Sequence, residues 1–351
     1  FSLLYSAPSF ANAKINLSGG QNWENIFSAL SIGGIAFAFT GFQNGLVLAG
    51  EVKNPQRNIP IAILGAVAIG FVLYFMLQIS FLIAIPKAYL AQGWHNLTFP
   101  GDSGPFVGLT LLLGLTVVAV LLMIDASFSP FGTTLVYTAA TSRILYSMAL
   151  NEHLPKFLLK VNRYKIPYVT LYINFLVGIL SFLPFPGWQK MVVFLSSTSI
   201  LSYGIGPICL LGMRRLQPDL HRPFKMSGTL VLSLLAFYAC NLMLYWCGFA
   251  VIWKLYLAVC IGLIITLIYQ RKSLFACERG VYWFFFYMTL LLAFSYFGSF
   301  GGIQILKFPL DVISILPFSM LMLYLSQRCL VSKEMSEYSA ALPAFSQETN
   351  S

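Results

Sequence analysis

Polar and glycine residues interrupt the apolar run 26–50 near its middle, in the order Phe39-Thr40-Gly41-Phe42-Gln43. Gly41 can adopt backbone angles that unwind a helix, and Thr40 can bond a carbonyl that the break would free. A half-helix that ends here presents carbonyl oxygens, which suit an ammonium group or a cation, and the next one presents N–H groups, which suit a carboxylate. The pattern therefore predicts a small-molecule site. A glycine surface for close helix packing is the alternative.

Asp125 is the second candidate for chemistry, and we interpret it as the one acid inside an apolar span. An ionised Asp at the centre of a bilayer costs about 2.5–3.5 kcal/mol on insertion scales, so it should face other helices, pair or be protonated. Apolar surroundings favour the neutral acid, which suits a group that takes up and releases a proton. Asp125 is thus a candidate proton carrier. A neutral cross-link to a hydroxyl of a neighbouring helix is the alternative.

A hydroxyl-rich segment early in a later apolar run supplies further candidates, Ser196, Ser197 and Thr198. Their side chains could line a polar pathway. The alternative is a purely local role, because hydroxyls in membrane helices commonly bond a carbonyl one turn back in their own helix.

The composition indicates what kind of elements must hold these residues. Hydrophobic residues make up 58% of the 351 residues and charged residues 9%, whereas soluble domains average about 25% charged. The chain is therefore predicted to be an all-α, polytopic integral membrane protein. Its net charge of +10 is explained by basic cytoplasmic loops, so we expect no nucleic-acid partner. The six cysteines show no metal spacing, and we expect neither a metal nor a cofactor.

Nine hydrophobic runs are long enough to span a membrane, at approximately 26–50, 59–85, 106–130, 167–185, 191–212, 228–248, 251–270, 281–300 and 309–326. Apolar and small residues continue past the third run to Ser142, which predicts a kink near Pro130 and a helix that extends towards Arg143. If the first run crosses from outside to inside, 16 of the 21 Lys and Arg residues fall on the cytoplasmic side.

The two ends of the chain are assigned from their composition. Phe1 begins a segment typical of the end of an earlier apolar helix, so we expect this chain to be the C-terminal part of a longer protein. Residues 1–25 are assigned to an external segment, and residues 331–351 to a polar cytoplasmic tail. A membrane enzyme is not expected, because the spans offer no cluster of His, Asp and Glu.

Three segments carry a family resemblance. Residues 39–45 (FTGFQNG) with 51–63 (EVKNPQRNIPIAI) resemble the sixth transmembrane helix and following loop of the amino acid–polyamine–organocation transporter superfamily. Residues 141–155 with 161–167 are similar to the loop after its eighth helix, and residues 213–224 to the loop after its tenth. A 14-helix branch that includes bacterial aspartate–proton symporters fits the span count best.

The resemblance implies a LeuT-type fold with two inverted repeats. Residues 26–225 would then form the second repeat, helices six to ten, and residues 226–330 would form four additional C-terminal helices. The backbone of Phe39, Thr40, Gly41 and Phe42 would hold the amine of a substrate, and Phe37 would cover it. Gln43 would be a further substrate-binding residue. It lies where many relatives have Glu, and a Gln cannot exchange a proton near neutral pH.

The function that the resemblance implies is secondary active amino acid transport by alternating access in a plasma (bacterial inner) membrane. The expected coupling ion is a proton, or sodium, and membrane lipids are the other expected partners. An exchanger and a non-transporting nutrient sensor remain alternatives. Because relatives build their site from helices one and six, residues 1–351 alone are expected neither to transport nor to bind substrate tightly.

Overall fold

The computed structural model describes residues 23–31, 34–86, 89, 104–183, 187–218, 222, 225, 227–270 and 279–329. Within those residues the chain forms helices, turns and loops, and no strand. The α-helices are α1 Trp23–Ser31, α2 Ile35–Ala38, α3 Gln43–Val47, α4 Pro55–Ala84, α5 Pro105–Leu112, α6 Thr116–Leu150, α7 Tyr168–Leu180, α8 Trp188–Leu216, α9 Thr229–Trp246, α10 Phe249–Gln270, α11 Arg279–Phe297 and α12 Leu310–Cys329. The predicted tail, 331–351, and most of the predicted external segment, 1–25, lie outside the described residues.

Among the residues that the structure describes, six helices are long and apolar enough to cross a membrane, namely α4, α6, α8, α9, α11 and α12. The predicted runs 167–185 and 251–270 correspond to shorter apolar stretches, Tyr168–Leu180 and Phe249–Ile265. The predicted run 26–50 corresponds to the short helices α1, α2 and α3. The all-α architecture expected from composition is confirmed.

The predicted span 106–130 is wrong, because two helices share it. Helix α5 ends at Leu112, and a turn at Leu113 and Gly114 separates it from α6. Gly114 has a φ of +74°, a left-handed conformation that ends an α-helix and that favours glycine. Helix α6 then continues through Pro130 and past Arg143 to Leu150, so the predicted extension is confirmed. Its 35 residues measure about 52 Å, more than a bilayer's hydrocarbon core of about 30 Å.

The described residues fall into two compact units. The first lies within residues 41–147 and 161–174, and the second within 23–40, 148–160 and 175–329. In the second unit, α9 packs against α8, α12, α1 and α11. The rings of Phe27 and Trp246 stack at 4.6 Å, and the Ser31 hydroxyl donates to the Met243 carbonyl at 2.7 Å, which fixes α1 against α9.

The domain boundary predicted at residue 225 separates α8 from α9, and these two helices pack closely together within the second unit. A large apolar cluster of residues from α8 to α12 forms the core around them. In the first unit, by contrast, the most apolar window of α4 has no buried residue. The predicted repeat and accessory group stay predictions.

Buried polar side chains connect α9 to its neighbours in the second unit. Tyr287 donates to the amide oxygen of Asn241 at 2.7 Å, and Asn241 donates to the Ser319 hydroxyl at 2.9 Å. One turn further along α9, Tyr245 donates to a carboxylate oxygen of Asp311 at 2.7 Å, and the Ser299 hydroxyl donates to the same oxygen. Such bonds hold membrane helices together where lipid removes the hydrophobic driving force between them.

Replacing Asp311 by Leu keeps most of the side-chain volume but removes the acceptor shared by Tyr245 and Ser299. Each donor left unsatisfied in the interior should cost about 1–3 kcal/mol. We expect a clear drop in the thermal unfolding midpoint of the purified protein in detergent.

The matched control for that variant is Ser314→Ala, one turn further along α12. The Ser314 hydroxyl bonds only the Asp311 backbone carbonyl among the contacts resolved, at 2.7 Å, so its loss should leave the midpoint nearly unchanged. An Asp311→Leu midpoint as high as that of the control would contradict the structural role of the carboxylate.

Candidate functional site

The predicted interruption of the first apolar run is present at residues 39–42, between α2 and α3. Backbone N–H groups of residues 39, 40, 44 and 45 each bond a carbonyl three residues back, at 3.0–3.2 Å. This spacing replaces the helical bond to the fourth residue back. The chain therefore turns twice in tight, non-α geometry at this point, as a broken membrane helix does.

Two side chains bond the backbone at the break. The Thr40 hydroxyl donates to the Phe37 carbonyl at 2.7 Å, and the Gly41 N–H donates to the side-chain oxygen of Gln43 at 2.8 Å. Gly41 has a φ of +111°, a backbone angle that residues other than glycine rarely adopt. Gly41 and Gln43 therefore act together, because one bends the chain and the other satisfies the N–H that the bend exposes.

Tyr137 of α6 completes this arrangement within the first unit, and sequence reasoning missed it. The Gln43 amide nitrogen donates to the Tyr137 hydroxyl at 3.4 Å, and a Cβ built on Gly41 would lie 3.8 Å from that hydroxyl. One signal was available: Tyr137 lies four residues before the family-like motif that begins at Thr141. Only the folded chain reveals the proximity, since 94 residues separate Gln43 from Tyr137.

The helical pieces beside the break are short, four residues in α2 and five in α3. A helix macrodipole is the sum of aligned peptide dipoles, so such short pieces contribute little of it. The polar groups that the break offers are therefore individual peptide groups and the Gln43 and Tyr137 side chains. The aromatic residues Phe37, Phe39 and Phe42 are half-buried here.

Asp125 is not brought to this constellation. It is exposed on α6, 12 residues before Tyr137 (137 − 125), which corresponds to about 18 Å along the helix axis. Twelve steps of about 100° also turn it roughly a third of a revolution away from the direction of Tyr137. A direct bond from Asp125 to the Gly41–Gln43–Tyr137 group is therefore excluded in this conformation.

The interpretation of Asp125 as the one acid inside a span is wrong, because Asp311 also lies in a candidate span and is the acid that is buried there among the described residues. Asp311 is 1% exposed in the first turn of α12, where both carboxylate oxygens accept hydrogen bonds. Its place two residues after the start of the run 309–326 makes it look interfacial in sequence. The turn that carries Ser299 covers the Asp311 carboxylate, and no local sequence pattern predicts such a contact.

The hydroxyls of Ser196, Ser197 and Thr198 all bond backbone carbonyls of the preceding turn of α8, at 2.7–2.9 Å. Ser196 and Ser197 are buried, whereas Thr198 is exposed. The structure thus satisfies these hydroxyls locally, and their predicted role along a pathway stays a prediction. In the described part of the chain, no three His, Cys, Asp or Glu side chains are grouped to hold a metal.

The apolar helices described above indicate an integral, multi-pass membrane protein. The amino acid permease family profile matches residues 2–325. The chain therefore belongs to the amino acid permease family, and its resemblance to the amino acid–polyamine–organocation superfamily is confirmed. No solved structure matches it.

Curated relatives agree with the family assignment. The glutamate/serine transporter AimA of Bacillus subtilis (strain 168) is 34% identical over 313 residues, which cover 86% of this chain and 57% of that protein. The aspartate-proton symporter of the same organism is 33% identical over 324 residues, covering 90% of this chain and 62% of that protein. The Asc-type amino acid transporter 1 of Mus musculus is 26% identical over 207 residues, covering 58% of this chain and 37% of that protein. The chain thus spans about three-fifths of the length of the two Bacillus relatives.

Two glycines near the break should respond to alanine in opposite ways. Gly41→Ala forces a side chain into a left-handed backbone and should cost about 1–3 kcal/mol of stability. Gly45 lies within α3, and a Cβ there meets nothing within 4 Å, so Gly45→Ala should gain about 0.5–1 kcal/mol.

Thermal unfolding of both variants in detergent measures this difference. Equal midpoints for Gly41→Ala and Gly45→Ala would mean that residue 41 does not hold the bent backbone.

Proposed function

We propose that the protein is a secondary active amino acid transporter that holds its substrate at the break in residues 39–42. The observation that carries the proposal is the group formed by Gly41, Gln43 and Tyr137, in which a bent backbone meets a neutral amide and a hydroxyl. Family membership and the printed functions of the relatives support an amino acid as the substrate class.

In this proposal the peptide carbonyls of Phe39, Thr40 and Gly41 receive the ammonium group of the amino acid. Carbonyl oxygens are electron-rich and suit a cation such as an ammonium group. Phe37 lies on α2, immediately before the break, and covers the bound molecule. Gln43 and Tyr137 hold the bend open to the substrate by bonding the Gly41 N–H and each other.

The proposed coupling ion is a proton carried by Asp125. Gln43 is an amide and exchanges no proton near neutral pH, so the break itself supplies no proton carrier. Asp125 is an acid on the apolar helix α6, and one relative is named an aspartate-proton symporter. The separation of Asp125 from the break means that coupling runs through a conformational change of α6 rather than a shared hydrogen bond, which is the expectation for alternating access. Sodium is the alternative coupling ion.

Uptake of radiolabelled amino acids into proteoliposomes that hold the intact protein tests the transport proposal. We expect saturable, concentrative uptake of at least one of the twenty amino acids, with glutamate, serine and aspartate as the first candidates. Binding without flux would indicate a nutrient sensor, and flux only against a preloaded amino acid would indicate an exchanger. Neither binding nor flux across the panel would contradict the whole proposal.

Asp125→Asn should separate coupling from binding. The amide has nearly the same volume but carries no exchangeable proton, so accumulation driven by an inward acid gradient should vanish while exchange across equal pH remains. Glu152→Gln is the control, because Glu152 is an exposed acid paired with Lys156 at 3.5 Å and should leave both activities unchanged. Undiminished accumulation in Asp125→Asn would place the proton on another group.

A further inference from the structure

A groove of about 550 Å³ lies among α8, α9 and α12 in the second unit. Its apolar walls include Leu230 and Leu234 of α9 and Met320 and Leu323 of α12. Each of these pairs is separated by three or four positions, so both members of a pair lie on the same helix face. The volume lies within the range of sites that hold small organic ligands.

The groove is open along its side. Leu230 is 67% exposed and Met320 is 49% exposed, whereas Leu323 at the base is buried. The exposed apolar walls suit contact with lipid tails, because they belong to helices of bilayer-spanning length. A molecule in the groove can therefore keep an apolar tail against them.

Positive charge is concentrated at one end of the groove. Arg214 and Arg215 line it from the last turn of α8. Arg328 lies close by on α12, because its guanidinium donates two hydrogen bonds, at 2.9 and 3.1 Å, to the hydroxyl of Tyr324, which also lines the groove. The topology predicted from basic residues assigns this end of the three helices to the cytoplasmic side.

On the three helices that form the groove, no acidic side chain lies close to this positive charge. Neither α8 nor α9 contains an Asp or Glu. The acid of α12, Asp311, lies 13 residues before Tyr324 (324 − 311), about 20 Å away along the helix. The basic end of the groove thus suits an anion.

A buried amide oxygen also points to a ligand here. Gln327 lines the groove and is 7% exposed. Its amide nitrogen donates to the Ile208 carbonyl at 3.1 Å, but its side-chain oxygen has no hydrogen-bond partner among the described residues. Buried acceptors without a donor are rare and costly, so a ligand that brings a hydroxyl would complete this site.

We propose that this groove is a specific binding site for an anionic phospholipid of the phosphatidylglycerol type. Arg214 and Arg215 bind its phosphate, a hydroxyl of its glycerol head group donates to the side-chain oxygen of Gln327, and an acyl chain lies between α9 and α12. Basic pockets between membrane helices at the cytoplasmic surface bind anionic head groups for the same electrostatic reason.

A phospholipid fits better than a soluble anion because of how polarity is distributed. The walls from Leu230 to Met320 are apolar and open to the bilayer, and the polar groups are confined to one end. Free phosphate would occupy the basic end but would leave the apolar walls uncovered. Phosphatidylcholine would fill the walls, but its choline ammonium group lies against the arginines and has no hydrogen to donate to Gln327.

Native mass spectrometry of the purified protein tests this site. The protein is stripped of lipid in detergent and titrated separately with dioleoyl-phosphatidylglycerol, dioleoyl-phosphatidylcholine and inorganic phosphate. We expect one phosphatidylglycerol to be retained per chain in preference to phosphatidylcholine, and an excess of inorganic phosphate not to displace it.

Two kinds of variant sharpen the test. Arg214→Gln with Arg215→Gln should weaken phosphatidylglycerol retention about thirtyfold, from the loss of two basic side chains near the surface. The matched control is Lys160→Gln with Arg163→Gln, which removes two exposed basic residues of another loop and should change nothing. Leu230→Trp, at an exposed position, should block the groove and reduce retention with both arginines in place.

Several results would overturn the proposal. Equal retention of the two lipids, or unchanged retention in the double arginine variant, would show that the basic end selects no head group. Displacement by inorganic phosphate would reveal a free-anion site. Full retention in a Leu230→Trp protein whose thermal midpoint is normal would show that no acyl chain lies in the groove.

Discussion

The need to pair every backbone N–H and C=O group in a non-aqueous surrounding governs the most informative part of this structure. A helix satisfies that need by itself, so a break at membrane depth is tolerated only where other groups replace the missing bonds. Between α2 and α3 the replacements are tight turns, the Thr40 hydroxyl and the Gln43 side-chain oxygen. The proposed substrate site uses the same polar groups that make the break tolerable. Under that proposal, stability and recognition depend on one set of contacts.

The second unit solves the related problem of holding helices together within lipid. Apolar packing alone distinguishes poorly between a helix neighbour and a lipid tail, so specific polar bonds have more influence on which helices meet. Asn241, placed between Tyr287 and Ser319, and Asp311, placed against Tyr245, provide such bonds. At one end of the groove in the same unit, Arg214 and Arg215 concentrate positive charge, which is why the proposed lipid is an anionic one.

Sequence patterns predicted the parts of this fold that depend on local chemistry. Long apolar runs correspond to α4, α8, α9, α11 and α12, and glycine and polar residues marked the break at residues 39–42. The run 106–130 failed because hydropathy cannot separate two apolar helices joined by an apolar turn. Gly114 ends α5 through its backbone angle, and a lone glycine in such a run more often packs than breaks a helix.

Composition and spacing by themselves determined that this chain is a helical membrane protein, where its first apolar run is interrupted, and which family it resembles, because hydrophobic length, charge asymmetry and motif residues are properties of the linear chain. Tertiary structure alone decided that Tyr137 meets Gln43, that Asp311 is buried while Asp125 is exposed, and that Arg214, Arg215 and Gln327 line one groove. Each of those features depends on contacts between segments that are far apart in sequence. Helix packing sets the distance between them, and that packing depends on the shapes and hydrogen bonds of many side chains at once, which no local pattern records.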